Sequence, residues 1–162
     1  MDEILHRPRR SVLYVPGSNE KALSKLASLE ADAVIYDLED AVVPILKDHA
    51  RSIIIDLVNS NQHHKKEQIV RINSDENEYG KKDYEILEKC EPDAILIPKV
   101  NHRDDILKYV PYLKNKKTML WAMMETPHAI INAYDIAACS EKLNCFVMGT
   151  NDLSKELDLN DL

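Results

Sequence analysis

Short β-branched runs alternate along the chain with longer amphipathic stretches. The apolar runs cover residues 11–15, 33–37, 68–72, 94–97, 118–124 and 145–148. Their length and their Val/Ile content predict strands. Between them, apolar residues recur every three or four positions. Leu23, Leu26 and Leu29 make one such stripe, and Ile53, Ile54, Leu57 and Val58 another. The spacing predicts helices over about 20–29, 45–60, 81–89, 103–113 and 129–138, with Ser18-Asn19 as an N-cap for the first. Strands that alternate with helices imply parallel βαβ units and an α/β fold. The polar stretch 59–67 reads as a surface loop. Periodicity alone leaves two architectures open, a doubly wound open sheet and part of a (β/α)8 barrel.

Composition narrows the function class. The chain has 162 residues, 44% of them apolar and 30% charged, which suits one soluble globular domain over residues 1–162. The balance of 21 basic against 28 acidic residues gives a net charge of −7, which argues against a nucleic-acid-coating protein. No apolar run approaches the roughly 18 residues of a membrane span. Cys90, Cys139 and Cys145 are odd in number and form no C-x-x-C, so reduced thiols in the cytosol are expected. The opening MDEILHRPRR carries acids and no apolar core, unlike a secretory or mitochondrial leader, and a cytoplasmic protein is expected.

The candidate chemistry clusters at one end of the strands. Asp37, Glu39 and Asp40 follow the second, Arg71 and Asn73 the third, and Lys99 the fourth. Glu125 ends the fifth, and Asn151 and Asp152 follow the sixth. Parallel α/β folds bind ligands at the C-terminal strand ends, and contributions from several strands favour the barrel. Glu125 and Asp152 together suit a hard cation such as Mg2+, which takes one or two carboxylates beside substrate oxygens. Arg71 suits a substrate carboxylate or carbonyl, held by its two-pronged guanidinium.

Other groups read as structural. His63-His64 lies on the polar loop, where adjacent residues seldom converge on a metal. His128 reads as a residue of a helix N-terminus, Cys139 and Cys145 as small apolar residues, and Trp121, Leu120 and Met123 as packing. The 114–117 lysine run reads as a solvated face, and no nucleotide-binding glycine motif occurs.

These polar ends sit in recognisable blocks. Arg9 to Asn19 (RRSVLYVPGSN) resembles the opening of the citrate lyase beta-subunit family of HpcH/HpaI-type aldolases. Residues 37–42 (DLEDAV), with Lys47 and Ala50-Arg51, resemble its second block. VRIN at 70–73, IPKV at 97–100, METP at 124–127 and GTNDL at 149–153 resemble the next four, in family order.

The resemblance implies a (β/α)8 TIM-barrel enzyme. It implies a magnesium-dependent carbon–carbon lyase that cleaves a citryl thioester, on CoA or acyl carrier protein, to oxaloacetate and an acetyl thioester. Malyl- and citramalyl-CoA lyases are the alternatives. It places the metal on Glu125 and Asp152, the substrate and the developing enolate on Arg71, and Asp37 and Glu39 near the metal's water shell. It puts Lys47, Arg51, Arg10 and Ser11 near the thioester carrier. It further implies a homo-oligomer, with other citrate lyase subunits as possible partners. Only about six of a barrel's eight βα units are visible, so the barrel is expected to be truncated. A split enzyme or a non-catalytic remnant that keeps metal and thioester binding therefore stands beside the lyase.

Overall fold

A computed structural model describes residues 8–113 and 116–158, so the 114–117 lysine run and the opening segment fall partly outside the described residues. The chain divides between Ala94 and Ile95 into two compact units.

The first unit holds β1 (Val12–Pro16), β2 (Ala33–Asp37) and β3 (Glu67–Arg71), paired in parallel in that order. The register sets Pro16 beside Asp37 and Asp37 beside Arg71. Side chains alternate along a strand, so one face of these strands carries Tyr14, Ile35, Asp37, Glu67, Ile69 and Arg71. Three helices connect or follow the strands: α1 (Glu20–Lys25), α2 (Lys47–Ser60) and α3 (Glu78–Lys89). The Asn19 side chain caps α1 by accepting from Ala22 N, and Asn77 caps α3 by accepting from Tyr79 N and Gly80 N. The stop of α2 is Asn61, at a left-handed φ of 54°. Helix α3 begins three residues before the predicted start, because Asn77 is the stronger cap signal.

The second unit contains β4 (Ala94–Ile97), β5 (Met119–Met124) and β6 (Leu143–Met148), again side by side in chain order. Its helices are α4 (Arg103–Leu107), α5 (Pro127–Ile131), α6 (Ala133–Ala137) and α7 (Thr150–Glu156). Two predicted helices are broken. The 103–113 helix gives way after α4 to a 3-10 turn over 110–113, where Pro111 offers no N–H to an α-helical ladder. The 129–138 helix parts at Asn132, whose amide is drawn to Asn101 O (3.0 Å) and His102 Nδ1 (3.1 Å). All of β5 except Met119 is buried, whereas β6 exposes Phe146 and Met148. Trp121 is buried in the core, in keeping with its packing role.

His63 has a structural place. It is buried, and its Nδ1 lies 2.8 Å from the Tyr36 hydroxyl, which also donates to Gln68 Oε1 (3.0 Å). Burial, aided by the charge of Lys66, pushes the His63 pKa below its ordinary 6.5. The unfolded chain therefore takes up the proton first as the pH falls. Stability from this group is complete above pH 6.5 and declines below it. The urea midpoint is expected to drop between pH 7 and pH 5.5, and His63→Gln to flatten that part of the slope. An unchanged slope in the variant would contradict the assignment.

Candidate active site

In the first unit, β2 and β3 end together, and their register brings Asp37 against Arg71. Arg71 Nε donates to Asp37 Oδ1 (2.8 Å) and Nη2 to Oδ2 (2.6 Å), a bidentate pair that is almost wholly buried. Asp37 also accepts from the backbone N of Glu39 (2.8 Å) and of Ala41 (3.1 Å). Each of its oxygens thus serves two donors, and the carboxylate ties the acidic turn to Arg71. The remaining prong, Nη1, faces Glu39 Oε2 at 3.1 Å and Asp40 Oδ2 at 3.5 Å. Tyr14 places its ring 5.4 Å from the guanidinium carbon, a contact with no signal in the sequence. Burial works against the Arg71 charge, but the Asp37 hydrogen bonds and the Asp37, Glu39 and Asp40 carboxylates outweigh it, so its pKa is raised. This cation stays charged at any accessible pH.

Lys47 and Arg51 occupy the inward side of α2, where both are buried. Lys47 Nζ donates to Leu38 O (2.9 Å), Glu39 O (2.9 Å) and Asn73 Oδ1 (2.6 Å), which accounts for its three hydrogens. Arg51 reaches Asp83 and Asp48. Lys47 therefore braces the acidic turn, and Arg51 ties α2 to α3. Arg10 and Ser11 lie elsewhere. They precede β1 at its N-terminal end, about 17–20 Å along the strand from the level of Asp37. There Arg10 pairs with Asp32 through Oδ1 (2.7 Å) and Oδ2 (3.1 Å), and Ser11 N donates to the same carboxylate (3.2 Å). The geometry gives this pair a bracing role at the strand's start and does not bring it to the Arg71 cluster.

In the second unit, Glu125 directly follows β5 and is 2% exposed. Its Oε1 accepts from Lys99 N at 2.7 Å. Lys99 makes this possible by adopting a left-handed backbone, φ 51°, just after β4. Gly149, the turn residue between β6 and α7, packs against the same carboxylate. A Cβ there would lie 2.5 Å from Glu125 Cβ and 2.8 Å from Oε2. The turn continues into the first turn of α7, which carries Asp152, with Lys155 Nζ 3.3 Å from its Oδ1. Among the described residues no group of three or more His, Cys, Asp or Glu is gathered for a metal. Two carboxylates joined by a close-packed turn still suit an ion that completes its shell with substrate and water oxygens.

His128 lies in the first turn of α5, exposed, with its ring edge toward His102 (centroids 6.0 Å apart). Asp83, fully buried on α3, is the polar residue that sequence reasoning missed.

Parallel strands in chain order, with acids, an arginine and a lysine amide at their C-terminal ends, fit an α/β protein of the TIM-barrel type. Comparison with known proteins gives the particular family. Residues 10–161 match the HpcH/HpaI aldolase/citrate lyase family model, and the chain belongs to that family. It is 46% identical over 153 residues to a (3S)-malyl-CoA thioesterase of Cereibacter sphaeroides, covering 93% of this chain and 52% of that protein. It is 33% identical over 160 residues to citrate lyase subunit beta of Escherichia coli, covering 93% and 53%. Among solved structures it resembles the M. tuberculosis citrate lyase beta subunit complexed with oxaloacetate and magnesium, with a TM-score of 0.76 and 25% identity, covering 94% of this chain and 65% of that one. The chain spans about half the length of the curated relatives it matches. No helix among the described residues is long and apolar enough to cross a membrane.

Proposed function

We propose that the chain carries metal-binding and acid-binding parts of an enzyme acting on a hydroxydicarboxylic acyl thioester, of the malyl-CoA kind. The observation that carries this reading is the Glu125 carboxylate seated on the Gly149 turn that leads to Asp152. Those two carboxylates would hold Mg2+, as the sequence blocks imply and as a magnesium-bound solved relative supports. When bound, the ion supplies Lewis-acid polarisation of substrate oxygens. Arg71 answers the negative charge of a substrate carboxylate or of a thioester enolate, a role worth roughly 3–4 kcal/mol of barrier for one such donor. Asp37, with both oxygens committed to Arg71 and the turn, orients that guanidinium. Glu39, beside Nη1, is the candidate for proton transfer.

The malyl thioester comes first because the thioesterase relative shares 46% identity and the citrate lyase relative 33%. Citryl thioester cleavage to oxaloacetate, on CoA or acyl carrier protein, is the second reading. It is supported by the six sequence blocks and by the oxaloacetate-bound relative.

Two measurements test this. Calorimetric titration is expected to show Mg2+ binding that weakens about tenfold or more in Glu125→Gln and in Asp152→Asn, with urea midpoints near wild type. Unchanged affinity in both variants would reject the metal site. Incubation with malyl-CoA and with citryl-CoA then separates the chemistries. Carbon–carbon cleavage releases a 2-oxo acid and acetyl-CoA, whereas hydrolysis releases free CoA thiol and the hydroxy acid. Mg2+ binding without either product would leave the non-catalytic reading.

A further inference from the structure

Asp83 has no place in the site described so far, yet it is the most completely buried acid of the first unit. Its Oδ1 accepts from Arg51 Nε (2.8 Å) and forms an ion pair with Nη2 (2.7 Å). Its Oδ2 accepts from the backbone N and the side-chain Nδ2 of Asn73, both at 2.7 Å. Asn73 passes the order on. Its Nδ2 also donates to Leu38 O (2.9 Å), and its Oδ1 accepts from Lys47 Nζ (2.6 Å). Lys47 in turn donates to Leu38 O and Glu39 O. The carbonyls so clamped belong to Leu38 and Glu39, the two residues that follow Asp37, which grips Arg71.

The charges dictate the direction of every link. A carboxylate only accepts and an ammonium only donates, so Asp83 and Lys47 fix which end of the Asn73 amide faces each. With that orientation set, the second Nδ2 hydrogen must go to Leu38 O. Burial pushes the Asp83 pKa up, opposed by the Asn73 and Arg51 hydrogen bonds, and pushes the Lys47 pKa down, opposed by Asp83 and the acidic turn. Neither charge would be kept in so dry a place without the other members of the chain.

We infer that Asp83 is a positioning residue, which acts through Asn73 and Lys47 to hold the Leu38–Glu39 backbone and so aim the Asp37–Arg71 pair. As a statement about ligand binding, this rests on the reading of Arg71 as the substrate-holding arginine.

The test uses the whole chain labelled with 15N-arginine. Arg71 Nε–H, bonded to Asp37, gives a side-chain signal assignable by its loss in Arg71→Lys. In Asp83→Asn that signal is expected to shift and to exchange faster with solvent. In Asp48→Asn, which removes the exposed partner of Arg51 and Lys82 but leaves Asp83 in place, it is expected to stay. Oxaloacetate affinity in the presence of Mg2+ is expected to fall about tenfold or more in Asp83→Asn, with Mg2+ affinity unchanged. If Asp83→Asn fails to fold, Asn73→Ser, which leaves the Asp83–Arg51 pair intact, is expected to give the same two results. A folded variant with an unmoved Arg71 signal and wild-type oxaloacetate affinity overturns the inference. Absence of oxaloacetate binding in the wild type counts against the proposed function instead, and the arginine signal then decides the positioning role alone.

Discussion

Gly80→Ala is expected to cost about 3 kcal/mol or more of stability, the largest loss of any conservative change in the first unit. A Cβ at this position would stand 2.1 Å from Ser74 O and 2.4 Å from Ser74 C. The clash is with backbone, so no rotamer change can relieve it. The loop that would have to move joins β3 to α3, and it is bounded by Asn73 on one side and the Asn77 cap on the other. Moving it pulls Asn73 from Asp83. The loss should appear as a lower urea midpoint with an unchanged slope. A midpoint within experimental error of wild type would show that the loop has room.

Gly149→Ala is expected to weaken Mg2+ binding together with stability. The new methyl meets the Glu125 side chain, at 2.5 Å from Cβ and 2.8 Å from Oε2, and the end of Met123 at 3.0 Å. Methionine can yield, being flexible and unbranched. Glu125 can yield only by leaving the Lys99 amide. Mg2+ affinity is therefore expected to fall tenfold or more, about 1.4 kcal/mol, while stability drops by about 1–2 kcal/mol. The calorimetric titration used for Glu125→Gln checks it. A variant that binds Mg2+ as wild type does would separate Glu125 from the metal.

The strand ends are readable from the chain because β-branched runs stop abruptly at charged residues, and within each unit parallel strands put those stops on one side. Asp37, Arg71, Glu125 and Asp152 were found this way. What those residues do to each other was not readable. The one-to-one register of β2 and β3 turns Arg71 toward Asp37, and a left-handed Lys99 turns its amide toward Glu125. Neither follows from local pattern. Lys47 and Arg51 were recognised as important, but their long side chains fold back onto protein acceptors, which only the packing reveals. Asp83 did leave a trace. It shares the inward face of α3 with Gly80, Ile86 and Leu87, where an acid is out of place unless it is paired. The broken helices reflect Pro111 and the non-helical backbone of Asn132 (φ −94°, ψ 9°), both local effects that apolar periodicity overlooks.

Strand β3 bears an ionic group at each end of one face. Glu67 takes both prongs of Arg9 (2.6 and 2.7 Å), and Arg71 takes Asp37, with only Ile69 between them on that face. A slip of one residue would turn this face over and carry Glu67 and Arg71 away from Arg9 and Asp37. A slip of two would keep the apolar pattern, and hydrophobicity alone would tolerate it. It would also part both ion pairs at once and strand three buried charges, Asp37, Glu67 and Arg71. The ends of β3 thus act as a pair of locating pins, so that the chain selects its alignment by charge where greasy side chains cannot tell neighbouring alignments apart.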